Sequence, residues 1–229
     1  MSGSPLPTTP ARFEPRSCAL ILIDLQRYDA DPECGIGPGF MKERPELATD
    51  YFRSVRERVV PNALRLLEAF RQASGLVVYT ASGATLPDGA DLTRRRRERF
   101  TGAADGRRSI FHRSEPEYEL LSAFEPVQGE VLLHKNTVSA FNSTALDRLL
   151  RNAGASTVVV AGVVTDGCVD STARDAADLG YESVIAMDAC AAWRVDWHDQ
   201  ALACFARYWG SIASTDEILA ALRGPSMKG

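Results

Sequence analysis

Five short apolar runs with helix-length stretches between them constrain this fold more than any other feature of the sequence. They are "CALILID" (18–24), "GLVVYT" (75–80), "EVLLHK" (130–135), "STVVVAG" (156–162) and "ESVIAMD" (182–188). Each is short, bounded by turn-formers or polar residues, and reads as a strand buried on both faces. "SIAS" (211–214) reads as a short sixth strand. Between them apolar residues recur at helical spacing. Val55, Val59, Leu66, Leu67 and Phe70 do so within 50–74, where Pro61 can break the segment in two. Leu146, Leu149 and Leu150 do so within 144–152, alanines line 171–179, and further helices fall at 199–209 and 215–222. Residues 81–129 form a long excursion of weak periodicity. Alternating strands and helices predict a three-layer α/β/α, Rossmann-like fold around a mostly parallel six-stranded sheet.

A chain of 229 residues holds a core large enough for one domain, expected over 18–229 behind an extended arm at 1–17. The composition is 45% hydrophobic and 24% charged with a net charge of −4, which argues against nucleic acid as a partner. The basic run "RRRRERF" (94–100) reads as a solvated face that could also meet an anionic substrate or a neighbouring subunit. Five scattered cysteines, without a C-x-x-C pair, suit neither a disulfide framework nor a zinc site. The Pro- and Ser-rich N-terminus lacks the apolar core of a signal peptide, and no segment reaches membrane-spanning length. A soluble, reduced, cytoplasmic protein with no membrane partner is expected.

In sheets of this class the ligand site lies beyond the carboxyl ends of the strands. Asp24 ends the first run, Lys135 the third, and Cys168 follows the fourth. A thiol is activated at a helix start or beside a cation, and a helix beginning near Gly167 with Lys135 nearby would supply both. Asp24 could take the thiol proton and return it to a leaving group, while backbone N–H groups of the turn hold a developing oxyanion. Each residue alone has a plainer reading: a small buried hydrophobe, a turn cap, a solvated lysine. Their convergence on one sheet edge favours attack on a carbonyl. Cys18, Cys34, Cys190 and Cys204 lack that setting and read as structural. His134 should face away from Lys135, and His198 should start a helix.

The pieces "ALILIDLQ", "HKNTVSAFNSTALDRLLRNAG", "VVVAGVVTDGCVDSTARDAADLGY" and "MDACAA" stand in order over nearly the whole chain. Together they resemble the isochorismatase-like cysteine hydrolase superfamily. The resemblance implies an Asp24–Lys135–Cys168 triad, a cis peptide at Val163–Val164, and an oxyanion hole from the amides of Val164 and Cys168. The look is closest to ureido and carbamoyl amidohydrolases acting on biuret, triuret, ureidoacrylate or N-carbamoylsarcosine. Gln26, Asn142 and Thr165 are then candidates for substrate binding, with Phe40, Phe141 and Trp193 as apolar walls. Nicotinamidases of the superfamily carry an Asp-x-His metal motif after the second strand. Here that position reads "VVYTASGATLPDG", so no metal and no other cofactor are expected. The reading is a metal-independent amidohydrolase, a homodimer or homotetramer, cleaving a C–N bond of a small ureido or carboxamide substrate through a cysteine thioester. An isochorismatase-type vinyl-ether hydrolase, or a non-catalytic binding or redox-sensing protein on the same fold, are the alternatives.

Overall fold

The computed structural model describes residues 14–101 and 111–223. Six strands form one sheet: β1 (Cys18–Ile23), β2 (Leu76–Ser82), β3 (Val131–Lys135), β4 (Thr157–Val163), β5 (Glu182–Ala191) and β6 (Ser211–Ala213). Their order is β3-β2-β1-β4-β5-β6 and every pairing is parallel. The chain therefore starts in the middle and winds outward in both directions. The reversal falls between β1 and β4, the place where such sheets open a crevice.

Alternation along the strands feeds two separate cores. Leu20, Leu22, Tyr79, Val159 and Val184 pack on one face against Leu66 and Phe70 of α4 (Val60–Gln72) and Ile218 of α9 (Thr215–Leu222). Ile21, Ile23, Val78, Val158 and Ile185 pack on the other against three helices. These are α6 (Leu146–Asn152), α7 (Asp170–Asp178) and α8 (Val195–Tyr208). Both faces of β1 are buried, which is why its sequence is continuously apolar rather than alternating.

Several boundaries differ from the sequence reading. The segment around Pro61 does not break: α3 (Pro45–Ser54) runs through a π-helical turn (Val55–Val59) into α4, with Pro61 in the first turn of α4, where proline is tolerated. The helix therefore begins at Pro45 rather than near residue 50. Strand β5 continues past Asp188 to Ala191, because a register shift opposite Val160 and Gly162 lets the strand resume pairing. α8 starts at Val195, not at residue 199, and α6 at Leu146 rather than 144. Of the arm expected over 1–17, residues 1–13 lie outside the described set, and Pro15–Ser17 is a 3-10 turn instead of extended chain. Within the excursion, α5 (Arg94–Thr101) carries the arginine run.

One glycine sets the geometry of the crevice. Gly162, at φ +121°, lies so close to β1 that a Cβ there would meet the Ile23 carbonyl oxygen at 2.1 Å. Only glycine permits both that backbone and that approach. It brings the turn after β4 beside the residue after β1.

Candidate active site

Asp24 follows β1 in the left-handed region, at φ 48°, a conformation that aspartate tolerates better than most residues. Its backbone N–H donates to the Thr80 carbonyl and to Thr80 Oγ1, each at 3.2 Å, and Thr80 Oγ1 in turn donates to Asp24 Oδ1 at 2.6 Å. The second carboxylate oxygen is left to face Lys135 Nζ at 2.8 Å, with both side chains fully buried.

Lys135 ends β3, two strands away from β1. At about 4.8 Å per strand, only a long side chain spans that gap. Its ammonium also donates to the carbonyls of Thr137 at 3.1 Å and Val138 at 2.9 Å, and to Cys168 Sγ at 3.2 Å. The loop after β3 therefore folds back to solvate the cation. Burial lowers the pKa of Lys135, but Asp24 and Cys168 outweigh it and hold the group above its ordinary value. It stays charged.

Cys168 sits in a π-helical turn (Thr165–Val169) that enters α7, kinked at Gly167. The Val164 carbonyl closes this turn by accepting from the Gly167 and Val169 N–H groups, at 3.1 and 3.3 Å. The peptide Val163–Val164 is cis. Burial pushes Cys168 up to about 12; Lys135 and Arg96 pull it down, Asp24 pushes it up, and burial prevails. The resting sulfur is a protonated thiol beside a carboxylate.

The other candidates divide. Phe40 and Trp193 do come together, ring centroids 4.4 Å apart, and Trp193 also stacks on Tyr51 at 3.9 Å. The Tyr51 hydroxyl donates to the Asp29 carbonyl at 3.0 Å, which joins this aromatic stack to the segment that follows Asp24. Gln26 is fully buried and its amide is committed to the protein: Nε2 donates to the Tyr118 carbonyl and Oε1 accepts from the Ser82 N–H, both at 2.7 Å. It ties the chain just after Leu25 to the end of β2 and to the Tyr118 carbonyl. The Thr165 hydroxyl is buried against His198 Nδ1 at 2.7 Å. Phe141 contacts Tyr181 and Asn142 donates to Asp175 Oδ2 at 3.2 Å, so the contacts of both lie along the outer side of α7. The loop carries them there because the Ala140 N–H is fixed to Thr172 Oγ1 of α7 at 3.1 Å. His134 is exposed on the opposite side of β3 from Lys135 and pairs with the Tyr118 hydroxyl at 2.8 Å. His198 lies inside the first turns of α8 rather than at its start.

Three participants were not singled out from sequence. Thr80 ends the second apolar run, so the parallel register with β1 could have marked it. Asp29, in the short helix α1 (Arg27–Ala30) just after Asp24, has its carboxyl raised to about 7 by burial and by Asp24, against Arg96, Tyr28 and Lys135. Arg96 was indistinguishable within its run, but the structure turns it inward. A groove of 1090 Å³ runs along the β3 edge past Ala81 and His134; none of Asp24, Lys135 or Cys168 lines it. Among the described residues, no group of three or more His, Cys, Asp or Glu could hold a metal ion, and no helix is long and apolar enough to cross a membrane.

Comparison with known proteins identifies the family and the fold. The isochorismatase domain family matches residues 18–217. A ureidoacrylate amidohydrolase (RutB) of Serratia proteamaculans is 30% identical over 201 residues, 80% of this chain and 75% of that protein. The crystal structure of a cysteine hydrolase from Pseudomonas syringae pv. phaseolicola superposes with a TM-score of 0.81 at 26% identity, covering 97% of this chain and 99% of that one. N-carbamoylsarcosine amidase from Thermoplasma acidophilum does so with a TM-score of 0.61 at 26% identity, covering 87% and 97%.

Proposed function

The chain belongs to the isochorismatase family of hydrolases, and from that premise we propose that it is an amidohydrolase cleaving a C–N bond of a small ureido or carboxamide compound through a Cys168 thioester. The observation that carries this reading is the single ammonium of Lys135 bridging a buried carboxylate and a thiol, at 2.8 and 3.2 Å. The relatives named for ureidoacrylate and N-carbamoylsarcosine support the substrate class.

In this mechanism Asp24 removes the Cys168 proton as the sulfur attacks the carbonyl carbon. A thiol at about 12 is not pre-ionised, so transfer and attack are coupled, which is general-base work. Lys135 remains protonated and offsets the negative charge that passes between carboxylate and sulfur. The amides of Val164 and Cys168 receive the oxyanion. Asp24, now protonated, gives its proton to the departing nitrogen and ammonia leaves. Water then enters, Asp24 takes a proton from it, and the hydroxide equivalent attacks the thioester. The tetrahedral species collapses, returning the proton to sulfur by way of Asp24 and releasing the acid.

The test is ammonia release across a panel of biuret, triuret, ureido acids and simple carboxamides, with nicotinamide and isochorismate as contrasts. Turnover of compact substrates ending in a –CO–NH2 group supports the reading. Isochorismate cleavage without ammonia release from any amide contradicts it.

A further inference from the structure

Side chains along β2 alternate between the two cores, and Thr80 takes the face of Leu76 and Val78. It is fully buried there. A hydroxyl placed behind two apolar residues costs free energy unless it is hydrogen-bonded, and both of its bonds go to one residue. Thr80 Oγ1 accepts from the Asp24 N–H at 3.2 Å and donates to Asp24 Oδ1 at 2.6 Å. The parallel register sets Thr80 opposite Ile23, so its carbonyl also accepts from the Asp24 N–H, at 3.2 Å. One residue of the neighbouring strand thus holds the backbone and one carboxylate oxygen of Asp24.

The other oxygen is in a different state. Lys135 Nζ stands 2.8 Å from Asp24 Oδ2, yet its three hydrogens have three acceptors elsewhere. These are the carbonyls of Thr137 at 3.1 Å and Val138 at 2.9 Å, and Cys168 Sγ at 3.2 Å. Oδ2 therefore feels the charge of the ammonium but, among the described residues, receives no well-aligned hydrogen bond. A buried acceptor left open is rare in native structures and marks a strained or catalytic atom. The two oxygens are not equivalent: Oδ1 is capped, and Oδ2 has lone pairs open beside the ammonium that also touches sulfur. A proton on Oδ1 would displace the Thr80 hydrogen, and among the described residues Thr80 Oγ1 donates to nothing else.

We infer that Thr80 is a positioning residue, whose hydroxyl fixes the Asp24 carboxylate so that Oδ2 is the oxygen that carries the catalytic proton. The inference rests on the amidohydrolase reading and adds which atom moves the proton and what aims it. As the S–H bond of Cys168 breaks, its proton bonds to Oδ2 and the sulfur electron pair attacks the carbonyl carbon. The Oδ2–H bond then breaks toward the departing nitrogen, while Thr80 keeps its own proton throughout. The last torsion of an aspartate is broad and roughly two-fold, so its own rotamer does not fix the carboxylate. Thr80 does.

The experiment compares three variants on a carbamoyl or carboxamide substrate. Thr80→Val keeps the shape and loses the hydroxyl, whereas Thr80→Ser and Thr80→Ala differ from each other by the hydroxyl alone. Thr80→Val and Thr80→Ala should each lose about 10- to 100-fold in kcat with KM little changed, as for a displaced catalytic group. Thr80→Ser should recover most of that loss. Losses confined to KM, equal losses in Thr80→Ser and Thr80→Ala, or kcat retained without the hydroxyl would overturn the assignment. The comparison of serine with alanine stands by itself where the valine variant does not fold. Crystallography reads the carboxylate without turnover: it should be rotated in Thr80→Ala and held as in wild type in Thr80→Ser. A carboxylate that keeps its orientation in Thr80→Ala would also overturn the assignment. A rotated carboxylate in a protein that releases ammonia from no amide would count against the hydrolase and leave the hold of Thr80 on Asp24 standing.

Discussion

Lys135 Nζ stands 2.8 Å from Asp24 Oδ2 with both side chains fully buried, and the two residues come from strands separated by β2. The pair ties the edge of the sheet to its centre where the strands end. Two desolvated ions cost several kcal/mol each, and that cost is offset only while both are present and their hydrogen bonds are completed. Thr80 donates to one oxygen of Asp24, and the carbonyls of Thr137 and Val138 accept from Lys135.

Removing one member should therefore strand the other. Asp24→Ala and Lys135→Met are each expected to lose about 3–5 kcal/mol of stability in urea unfolding. The double variant should lose clearly less than the sum, because no buried charge remains. Strict additivity would show that the two charges are not coupled.

The thiol makes a second expectation. Because burial holds Cys168 up at about 12, its thiolate is scarce at neutral pH. Iodoacetamide should alkylate it at a rate still rising at about pH 10, where an ordinary cysteine has levelled off. Lys135→Ala removes the cation that pulls the value down, so alkylation should be slower at each pH. A plateau below about pH 8 in wild type would mean that the thiol is ionised at rest.

Most of the fold was legible because it rests on periodicity. Runs such as those around Leu20 and Val159 can only be strands buried on both faces, and their order with the intervening helices leaves few topologies. The meeting of Asp24, Lys135 and Cys168 was legible for the same reason, since strand ends converge. What sequence did not reveal depended on side-chain direction. Gln26 looked like a polar group near a substrate, but the end of β2 and the 3-10 turn at Pro116–Tyr118 bring the Ser82 N–H and the Tyr118 carbonyl against its amide. Asn142 and Phe141 lie in a loop whose path follows its hydrogen bonds, among them one to Thr172 of α7. Burial of Cys168, invisible in a local motif, opposes the pull of the cations on its thiol.

His198 gives an acid limb of stability. Burial, aided by Arg58, holds this imidazole down at about 4, and Thr165 shares its Nδ1. A depressed pKa means the folded protein binds fewer protons than the unfolded chain. The stability this contributes is present above about pH 6.5 and is lost as pH falls through about 4, a change of roughly 3 kcal/mol. His198→Gln keeps a partner for Thr165 and does not titrate. The stability difference between wild type and variant should shift by that amount across the window; parallel curves would place the histidine in a solvent-like setting.

Activity should survive exhaustive chelation. The described residues hold no cluster of metal-ligating side chains, and carbonyl polarisation in the proposed mechanism comes from backbone donors. Loss of turnover on chelation, restored by a divalent cation, would require a metal that this mechanism does not use.

The central claim is a covalent bond between substrate and Cys168. Acid-quenched protein, sampled during turnover of a carbamoyl or carboxamide substrate, should show by mass spectrometry an acyl adduct on the peptide containing Cys168. Cys168→Ser should show neither adduct nor ammonia release while unfolding like wild type. Ammonia release by Cys168→Ser at a rate near that of wild type would contradict the account.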